Sequence, residues 1–322
     1  MLVDLSNTNT QPPPPPIPPG VLGGRFRLEP AQVQAIMQQH NLDEDGLLTQ
    51  LIISASQLAR PPISTYHVGA VGLGTSGALY VGVNLEFARL PLYNSVHAEQ
   101  FLIVNALHHG EQGIKKLAIS AAPCGHCRQF YSELACAETV KFCFQGGCYT
   151  LGQLLPLRFK PADLLPDPAT PLLLQPQHNN IRFTEEAEAT LGAYPPNSIL
   201  STAAVDALEE AKKSYAPYSR CPAGIAIITA PSQGDANGTE RSSVYSGGYV
   251  ESAAYNPSIP PLQTAIIDAV IDGMPCYTGI DDVVLVELRG GPVQHAPTTR
   301  VILEQIAPGA RLTVLQAEWD DV

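Results

Sequence analysis

The sequence is poor in charge, and what charge it has is mainly negative. Charged residues make up 15% of the 322 residues, and 18 Lys and Arg stand against 30 Asp and Glu, which gives a formal net charge of −12. Contacts to nucleic-acid phosphates and to anionic membrane surfaces both need clustered Lys and Arg. The composition therefore argues against a polynucleotide-binding protein and against a membrane-surface protein, and the net charge favours solubility.

Long apolar runs and the marks of a secretory leader are also absent. No run approaches the roughly 20 apolar residues of a membrane-spanning helix. The N-terminal stretch MLVDLSNTNTQPPPPPIPPG has no basic segment and no apolar core, and it lacks the Arg-rich character of an organelle transit peptide. The seven cysteines are odd in number, and the chain is too long to need disulfide staples, as is typical of a reducing compartment. We therefore expect a cytosolic protein.

The apolar residues, in contrast, are plentiful, and they suffice for more than one domain. They make up 45% of the chain, and the length favours about two domains. From the distribution of proline and polar residues we predict a disordered Pro-rich tail over 1–25, a first domain over 26–165, a linker over 166–195 and a second domain over 196–322.

The second domain repeats the pattern of the first. The stretch PYSRCPAGIAII resembles PISTYHVGAVGL, and VYSGGYVES resembles LYVGVNLEF. Two glycines and one glutamate match in each copy, and the pairs are Gly69 with Gly224, Gly82 with Gly247 and Glu86 with Glu251. A β-hairpin pattern followed by a helix occurs in both copies, so the sequence predicts a duplicated α/β unit.

The two copies differ in their reactive side chains. Where the first copy reads SVHAEQ, the second reads SIPPLQ, so that Pro260 and Leu262 stand near the places of His97 and Glu99. Nothing like the PCGHC of the first copy follows in the second. The second copy therefore keeps the scaffold pattern and lacks the residues that carry chemistry.

The pair Cys124 and Cys127 allows three interpretations. A redox pair is one, although the order of elements does not resemble that of thioredoxin. A four-cysteine structural zinc site with Cys143 and Cys148 is the second, but their spacing is loose, and Cys143 falls in a strand pattern that favours core filling. The third is a catalytic zinc site with His97 as the third ligand, in which the fourth position is left for water.

Element lengths favour the third interpretation. The helix pattern HAEQFLIVNALHH has about 13 residues and spans roughly 20 Å. The strand pattern that follows returns about the same distance, which brings Cys124 to the end of the helix where His97 lies. Two helix N-termini then point at one spot and favour thiolates and hydroxide there. Glu99 lies in the first turn at the same end, where a general base belongs.

The motifs HAE and PCGHC together match the H-x-E…P-C-x-x-C signature of zinc-dependent deaminases. With NLEF, HAEQ, PCGHCRQF, SYAPYS and ESAAYNPS, the sequence resembles the two-domain, homodimeric cytidine deaminases of bacteria and plants over roughly residues 30 to 320. The resemblance implies a three-layer α-β-α fold that is duplicated as a catalytic domain and a degenerate, non-catalytic second copy.

The resemblance also implies the chemistry. His97, Cys124 and Cys127 would hold one Zn²⁺ per chain, and Glu99 would shuttle the proton. Activated water would attack C4 of cytosine, and cytidine or deoxycytidine would give uridine or deoxyuridine and ammonia, a hydrolase reaction of pyrimidine salvage.

Substrate binding follows from the same resemblance. Asn84 and Glu86 would bind the ribose, and Tyr66, where Phe is usual, would stack on the base. A carboxylate such as Glu86 accepts hydrogen bonds from a sugar hydroxyl but repels a phosphate, which favours a free nucleoside as substrate. The broken second copy would support a homodimer, and its segment SAAYNP, residues 252–257, would help to cover the active site of the partner subunit.

Two other functions remain open at this point. A catalytically silent nucleoside-binding protein on the same scaffold would bind zinc without turnover. A polynucleotide cytidine deaminase would bind single strands tightly and in a salt-dependent way. The intact motif argues against the first, and the acidic charge balance argues against the second.

Overall fold

The computed structural model describes residues 17–18, 20–230 and 242–320. Within these ranges no helix is both long enough and apolar enough to cross a membrane. Two mixed β-sheets and their helices account for most of the described chain.

The first copy is built on a six-stranded sheet in the order β1-β3-β2-β4-β5-β6. Its strands are β1 (Arg27–Leu28), β2 (Gly69–Gly74), β3 (Leu79–Val83), β4 (Ile114–Ile119), β5 (Lys141–Phe144) and β6 (Gly147–Tyr149). Only β4 and β5 are parallel neighbours. Its helices are α1 (Pro30–His40), α2 (Glu44–Ser56), α3 (Ala98–His108), α4 (Gly125–Phe130) and α5 (Leu151–Leu154).

The second copy is built on a five-stranded sheet in the order β7-β11-β10-β8-β9. Its strands are β7 (Ile181–Phe183), β8 (Ala223–Thr229), β9 (Val244–Gly248), β10 (Ile280–Leu288) and β11 (Arg311–Trp319). Here β10 and β11 are the parallel neighbours. Its helices are α6 (Glu185–Gly192), α7 (Ile199–Lys213), α8 (Pro261–Ile271) and α9 (Ala296–Ile306).

The predicted duplication is confirmed element by element. The chain order α2-β2-β3-α3-β4-α4-β5 recurs as α7-β8-β9-α8-β10-α9-β11, and the sheet order β3-β2-β4-β5 recurs as β9-β8-β10-β11. Helices α3 and α8 pack against each other, and one hydrophobic core runs through both copies.

The matched glycines explain why each sheet is covered on both faces. A Cβ at Gly69 would lie 2.4 Å from a backbone nitrogen of α2, and one at Gly82 would lie 2.1 Å from a carbonyl oxygen of α3. Because Gly82 pairs with Ala70, Gly69 and Gly82 point to opposite faces of the sheet. A Cβ at the matched Gly224 would lie 2.2 Å from a carbonyl oxygen of α7, and one at Gly247 would lie 2.4 Å from a backbone nitrogen of α8. Each copy therefore has three layers, α-β-α, as the resemblance implied.

Two segments that composition marked as irregular are partly packed. Of the predicted tail 1–25, residues 1–16 and 19 lie outside the described ranges, while the apolar side chains of Ile17 and Leu22 are buried in the core. The predicted linker 166–195 contains β7 and α6, and β7 pairs with β11. The second sheet thus begins inside the stretch that its prolines had marked as a linker.

Cys143 is half-buried against the core, and its sulfur also forms a disulfide that the sequence did not predict. Cys143 and Cys148 form a disulfide between β5 and β6, where they are direct partners in the pairing register. Gln145 and Gly146 both have positive φ, which is typical of a tight hairpin turn of the primed type. This two-residue turn reverses the direction of the chain, so that the two cysteines lie opposite each other on neighbouring strands.

Candidate metal centre

His97 lies at the N-terminus of α3, where the chain leaves an extended segment. It is the N-cap residue, and the side chain of Gln100 accepts a hydrogen bond from the His97 backbone N–H at 3.2 Å. The residue before it, Val96, exchanges backbone hydrogen bonds of 2.9 Å with Leu85, just after β3. The imidazole is thereby fixed both by the helix cap and by the sheet.

Cys124 and Cys127 occupy the equivalent end of α4. Cys124 is the N-cap, and Cys127, in the first turn, is fully buried. Arg128 donates hydrogen bonds to the carbonyl oxygens of Pro123 at 2.8 Å and Leu154 at 3.0 Å. These two hydrogen bonds hold the loop before α4 against the end of α5.

The three predicted ligands meet at one point. Nδ1 of His97 lies 3.5 Å from Sγ of Cys124 and 3.3 Å from Sγ of Cys127, and the three donor atoms all lie within 4.8 Å of one another. Tetrahedral zinc with bonds of about 2.1 Å to nitrogen and about 2.3 Å to sulfur separates such atoms by about 3.6 Å. One nitrogen and two sulfurs at these distances fit a zinc ion with its fourth position open.

Hydrogen bonds and burial shift the pKa values of all three candidate ligands. Hydrogen bonds from the Cys127 thiol and from His97 lower the pKa of Cys124 to about 3. Burial raises the pKa of Cys127, and the hydrogen bond to Cys124 raises the pKa of His97. A thiolate at Cys124 beside the two helix N-termini is the arrangement expected of an anionic ligand site.

Glu99 lies beside the three candidate ligands and is not part of their group. Its side chain is 4% exposed and lies in the first turn of α3, two residues after His97. Burial raises its pKa. A carboxyl group in this position can hold a proton at the site while bulk water is excluded from it.

Asn84 and Glu86 lie together at the end of β3, and both hold the loop 63–68 that carries Tyr66. Glu86 accepts two backbone N–H hydrogen bonds of 2.8 Å and one of 2.5 Å from the hydroxyl of Ser64. Asn84 accepts from the backbone of this loop at 2.9 Å and donates to the carbonyl oxygen of Tyr66 at 2.9 Å. Tyr66 itself is 62% exposed. Leu85, between Asn84 and Glu86, joins this group to the strand that enters α3.

The second copy keeps the glutamate that supports the loop before β8, and it lacks residues equivalent to the three candidate ligands. Glu251 accepts hydrogen bonds from the backbone N–H groups of Tyr218 at 2.8 Å and Ser219 at 3.2 Å, as Glu86 does in its own copy. Pro260 is the N-cap of α8, in the place of His97, and Leu262 is fully buried in the place of Glu99. Helix α8 thus begins at the same place in its copy as α3 does, without the His and Glu of the first copy, as predicted.

The segment 252–257 contacts the site helices of its own chain. Gln100 in α3 donates a hydrogen bond of 2.9 Å to the carbonyl oxygen of Pro257. Nε2 of His126 in α4 lies 3.1 Å from the carbonyl oxygen of Asn256. The degenerate copy therefore touches both helices of the candidate metal centre within one chain, and a contact with a partner subunit stays a prediction.

Three further residues lie near the candidate metal centre and were not predicted from the sequence to belong to it. The His126 ring stacks on the His97 ring with centroids 5.0 Å apart. Tyr131 is fully buried, and its pKa is raised by burial and by the nearby charge of Glu99. Gln100 could have been found, since HAEQ has the three-residue spacing of a capping box.

Comparisons with known proteins point to one family. A family model described as "Cytidine and deoxycytidylate deaminase zinc-binding region" matches residues 42–143, and a second one with the same description matches residues 151–300. "Cytidine deaminase 1" of Arabidopsis thaliana is 38% identical over 90% of this chain and 96% of its own length. "Cytidine deaminase" of Vibrio atlanticus is 35% identical over 89% of this chain and 88% of its own. A solved structure of cytidine deaminase from Mycobacterium tuberculosis covers 37% of this chain and 98% of its own, with 25% identity and a TM-score of 0.34.

Proposed function

Since this chain belongs to the cytidine deaminase family, we propose that His97, Cys124 and Cys127 hold the zinc ion of a hydrolase that converts cytidine to uridine and ammonia. The observation that carries this assignment is the meeting of one imidazole nitrogen and two cysteine sulfurs beside a buried carboxyl group. Deoxycytidine is the second substrate, and it gives deoxyuridine.

The division of labour follows from the positions of the side chains. Zinc, when bound, supplies a Lewis acid that makes water acidic enough to act as a nucleophile near neutral pH. Glu99 takes one proton of the attacking water and delivers it to N3 of cytosine, where it stays in the product. It then takes the second proton, from the hydroxyl added at C4, and delivers it to the departing amine, which leaves as ammonia. The burial of Glu99 keeps each proton out of exchange with bulk water during its transfer.

Substrate recognition is assigned to the group at the end of β3. Glu86 accepts three hydrogen bonds from its own loop, and a carboxylate has about four acceptor positions, so one remains for a ribose hydroxyl. Asn84 also binds the ribose, beside Glu86. Tyr66 stacks on the base from the loop that Asn84 and Glu86 hold. A phosphate at this place would meet the negative charge of Glu86, which supports a free nucleoside as substrate.

An assay on the purified protein tests the function. We expect one zinc per chain by atomic absorption and a loss of cytidine absorbance in the ultraviolet that stops when the zinc is chelated and returns when it is added back. Zinc-loaded protein without turnover would instead favour the silent nucleoside-binding protein. The place of the reaction in cytosolic pyrimidine salvage is tested by growth of a pyrimidine-requiring host on cytidine.

We further propose that the protein is a homodimer. Leu92, Tyr93 and Tyr255 are 62%, 85% and 70% exposed. Tyr93 and Tyr255 line the same cleft between the two copies, beside His126. Exposed apolar side chains in such a cluster mark a protein contact surface. Sedimentation equilibrium is expected to give twice the chain mass of 34.3 kDa, and replacing Tyr93 and Tyr255 by Ser is expected to shift the mass towards that of one chain.

A further inference from the structure

Glu133 is a fully buried carboxylate of the first copy whose hydrogen-bond donors come from the second copy. It follows α4 directly, in a short 3-10 turn, and has no measurable exposure. Its Oε2 accepts hydrogen bonds from the hydroxyls of Tyr215 at 3.0 Å and Tyr218 at 2.5 Å. Its Oε1 accepts from the hydroxyl of Ser252 at 3.0 Å and from the backbone N–H of Ala253 at 2.8 Å. We call these five residues the Glu133 cluster.

The tyrosines lie in a loop that corresponds to the Tyr66 loop of the first copy. Tyr215 and Val250 form the same backbone bridge as Arg60 and Leu85 do in the first copy. Glu251 holds this loop through the backbone N–H of Tyr218, as Glu86 holds the Tyr66 loop. The loop that faces the proposed substrate site in one copy thus binds a carboxylate in the other.

The segment that begins in the Glu133 cluster continues to the site helices. Ser252 and Ala253 bind Glu133, and the same segment then reaches α4 through His126 and α3 through Gln100. Helix α4 is only six residues long, so that it has little stability of its own. Its two ends are therefore placed by contacts with other parts of the chain.

We propose that the Glu133 cluster is a positioning device through which the degenerate second copy holds α4 against α3 and so keeps Cys124 and Cys127 in register with His97. The inference rests on the proposed function for its effect on turnover, and on geometry alone for its effect on metal retention. Glu133 touches neither the metal ligands nor the proposed substrate, and it acts through the position of α4.

Glu133 can hold the two copies together because its buried carboxylate accepts four hydrogen bonds from the second copy. A buried carboxylate is costly unless donors satisfy it, and hydrogen bonds to charged groups are stronger than those between neutral groups. Removing one of the four donors therefore leaves the buried charge under-satisfied, which favours a separation of the loop and the helix that admits water. The displacement is passed to Cys127, which lies six residues before Glu133.

The test uses the zinc-loaded full chain and three single variants. Tyr218→Phe removes one donor, and Glu133→Gln keeps the shape and removes the charge. Tyr245→Phe is the matched control, because the Tyr245 hydroxyl donates at 3.1 Å to Asp272, so that its hydrogen bond lies within the second copy. We measure the rate of zinc release to a chromogenic chelator, kcat and KM for cytidine, and the thermal midpoint.

Tyr218→Phe and Glu133→Gln are each expected to speed zinc release about ten-fold and to lower kcat about ten-fold, with KM within about two-fold of the parent. Tyr245→Phe is expected to match the parent in all three. Parent-like zinc release in both cluster variants overturns the inference, and so does an equal effect in Tyr245→Phe. If the parent binds zinc but does not turn over cytidine, the proposed function fails, and zinc release still decides the role of the cluster.

Discussion

Replacing Glu99 by Gln is expected to lower the turnover of cytidine by about 10⁴-fold, while the protein keeps one zinc per chain. Gln has nearly the shape of Glu but cannot carry the proton, so that the attacking water is not deprotonated and the leaving amine is not protonated. The ligands are untouched, since Glu99 lies beside the three donor atoms and is not part of them. Turnover is followed by the ultraviolet absorbance of cytidine, and zinc by atomic absorption on the same sample.

Glu304→Gln is the control for this substitution. Glu304 is exposed on α9 of the second copy, so its replacement is expected to change neither turnover nor zinc content. Turnover by Glu99→Gln within about ten-fold of the parent contradicts the proton-shuttle role. Loss of zinc in Glu99→Gln would show instead that Glu99 supports the metal centre.

Replacing Cys127 by Ala is expected to reduce the zinc content to a small fraction of one ion per chain after dialysis, and with it to abolish deamination. Only one imidazole and one thiolate then remain, which is too few ligands to hold zinc against water. Since Cys127 is fully buried, no side chain from the surface can take its place. Zinc content and cytidine turnover are measured before and after dialysis.

Cys221→Ala is the matched control, because Cys221 is equally buried but lies in the second copy, outside the ligand group. It loses the same buried sulfur and is expected to keep its zinc and its turnover. A Cys127→Ala protein with a full complement of zinc contradicts the proposed ligand set and points to other donors.

The meeting of His97, Cys124 and Cys127 could be predicted because the three residues lie close together in the sequence. The spacing from His97 through one helix and one strand to Cys124 fixes where the chain returns, since rise per residue is nearly constant in each element. The ends of α3 and α4 then bring the imidazole and the thiols together without any information about the second copy.

The Glu133 cluster could not be predicted in this way. Its donors lie 82 to 120 positions further along the chain. Nothing in the stretch YSELA distinguishes Glu133 from a solvated glutamate near a helix end, and burial of a carboxylate depends on how the two copies dock. Docking in turn depends on the packing of α3 against α8, which no local pattern specifies.

The match between Glu86 and Glu251 indicates a structural role that both copies share. A residue that persists in a copy without zinc ligands is needed for something other than the reaction. In both copies this glutamate holds the backbone of the preceding loop. The family resemblance pointed to ribose binding, and loop support became visible only when the two sets of hydrogen bonds could be compared.

The distance between Glu133 and its donors also bears on protein synthesis. A ribosome that has just added Glu133 must add 120 more residues before Ala253 exists. At the usual 5 to 20 residues per second this takes about 6 to 24 s. During that interval the nascent first copy has all three proposed ligands, but Glu133 has none of its four long-range donors. If the proposed role of the Glu133 cluster holds, the metal centre reaches its final geometry only near the end of translation.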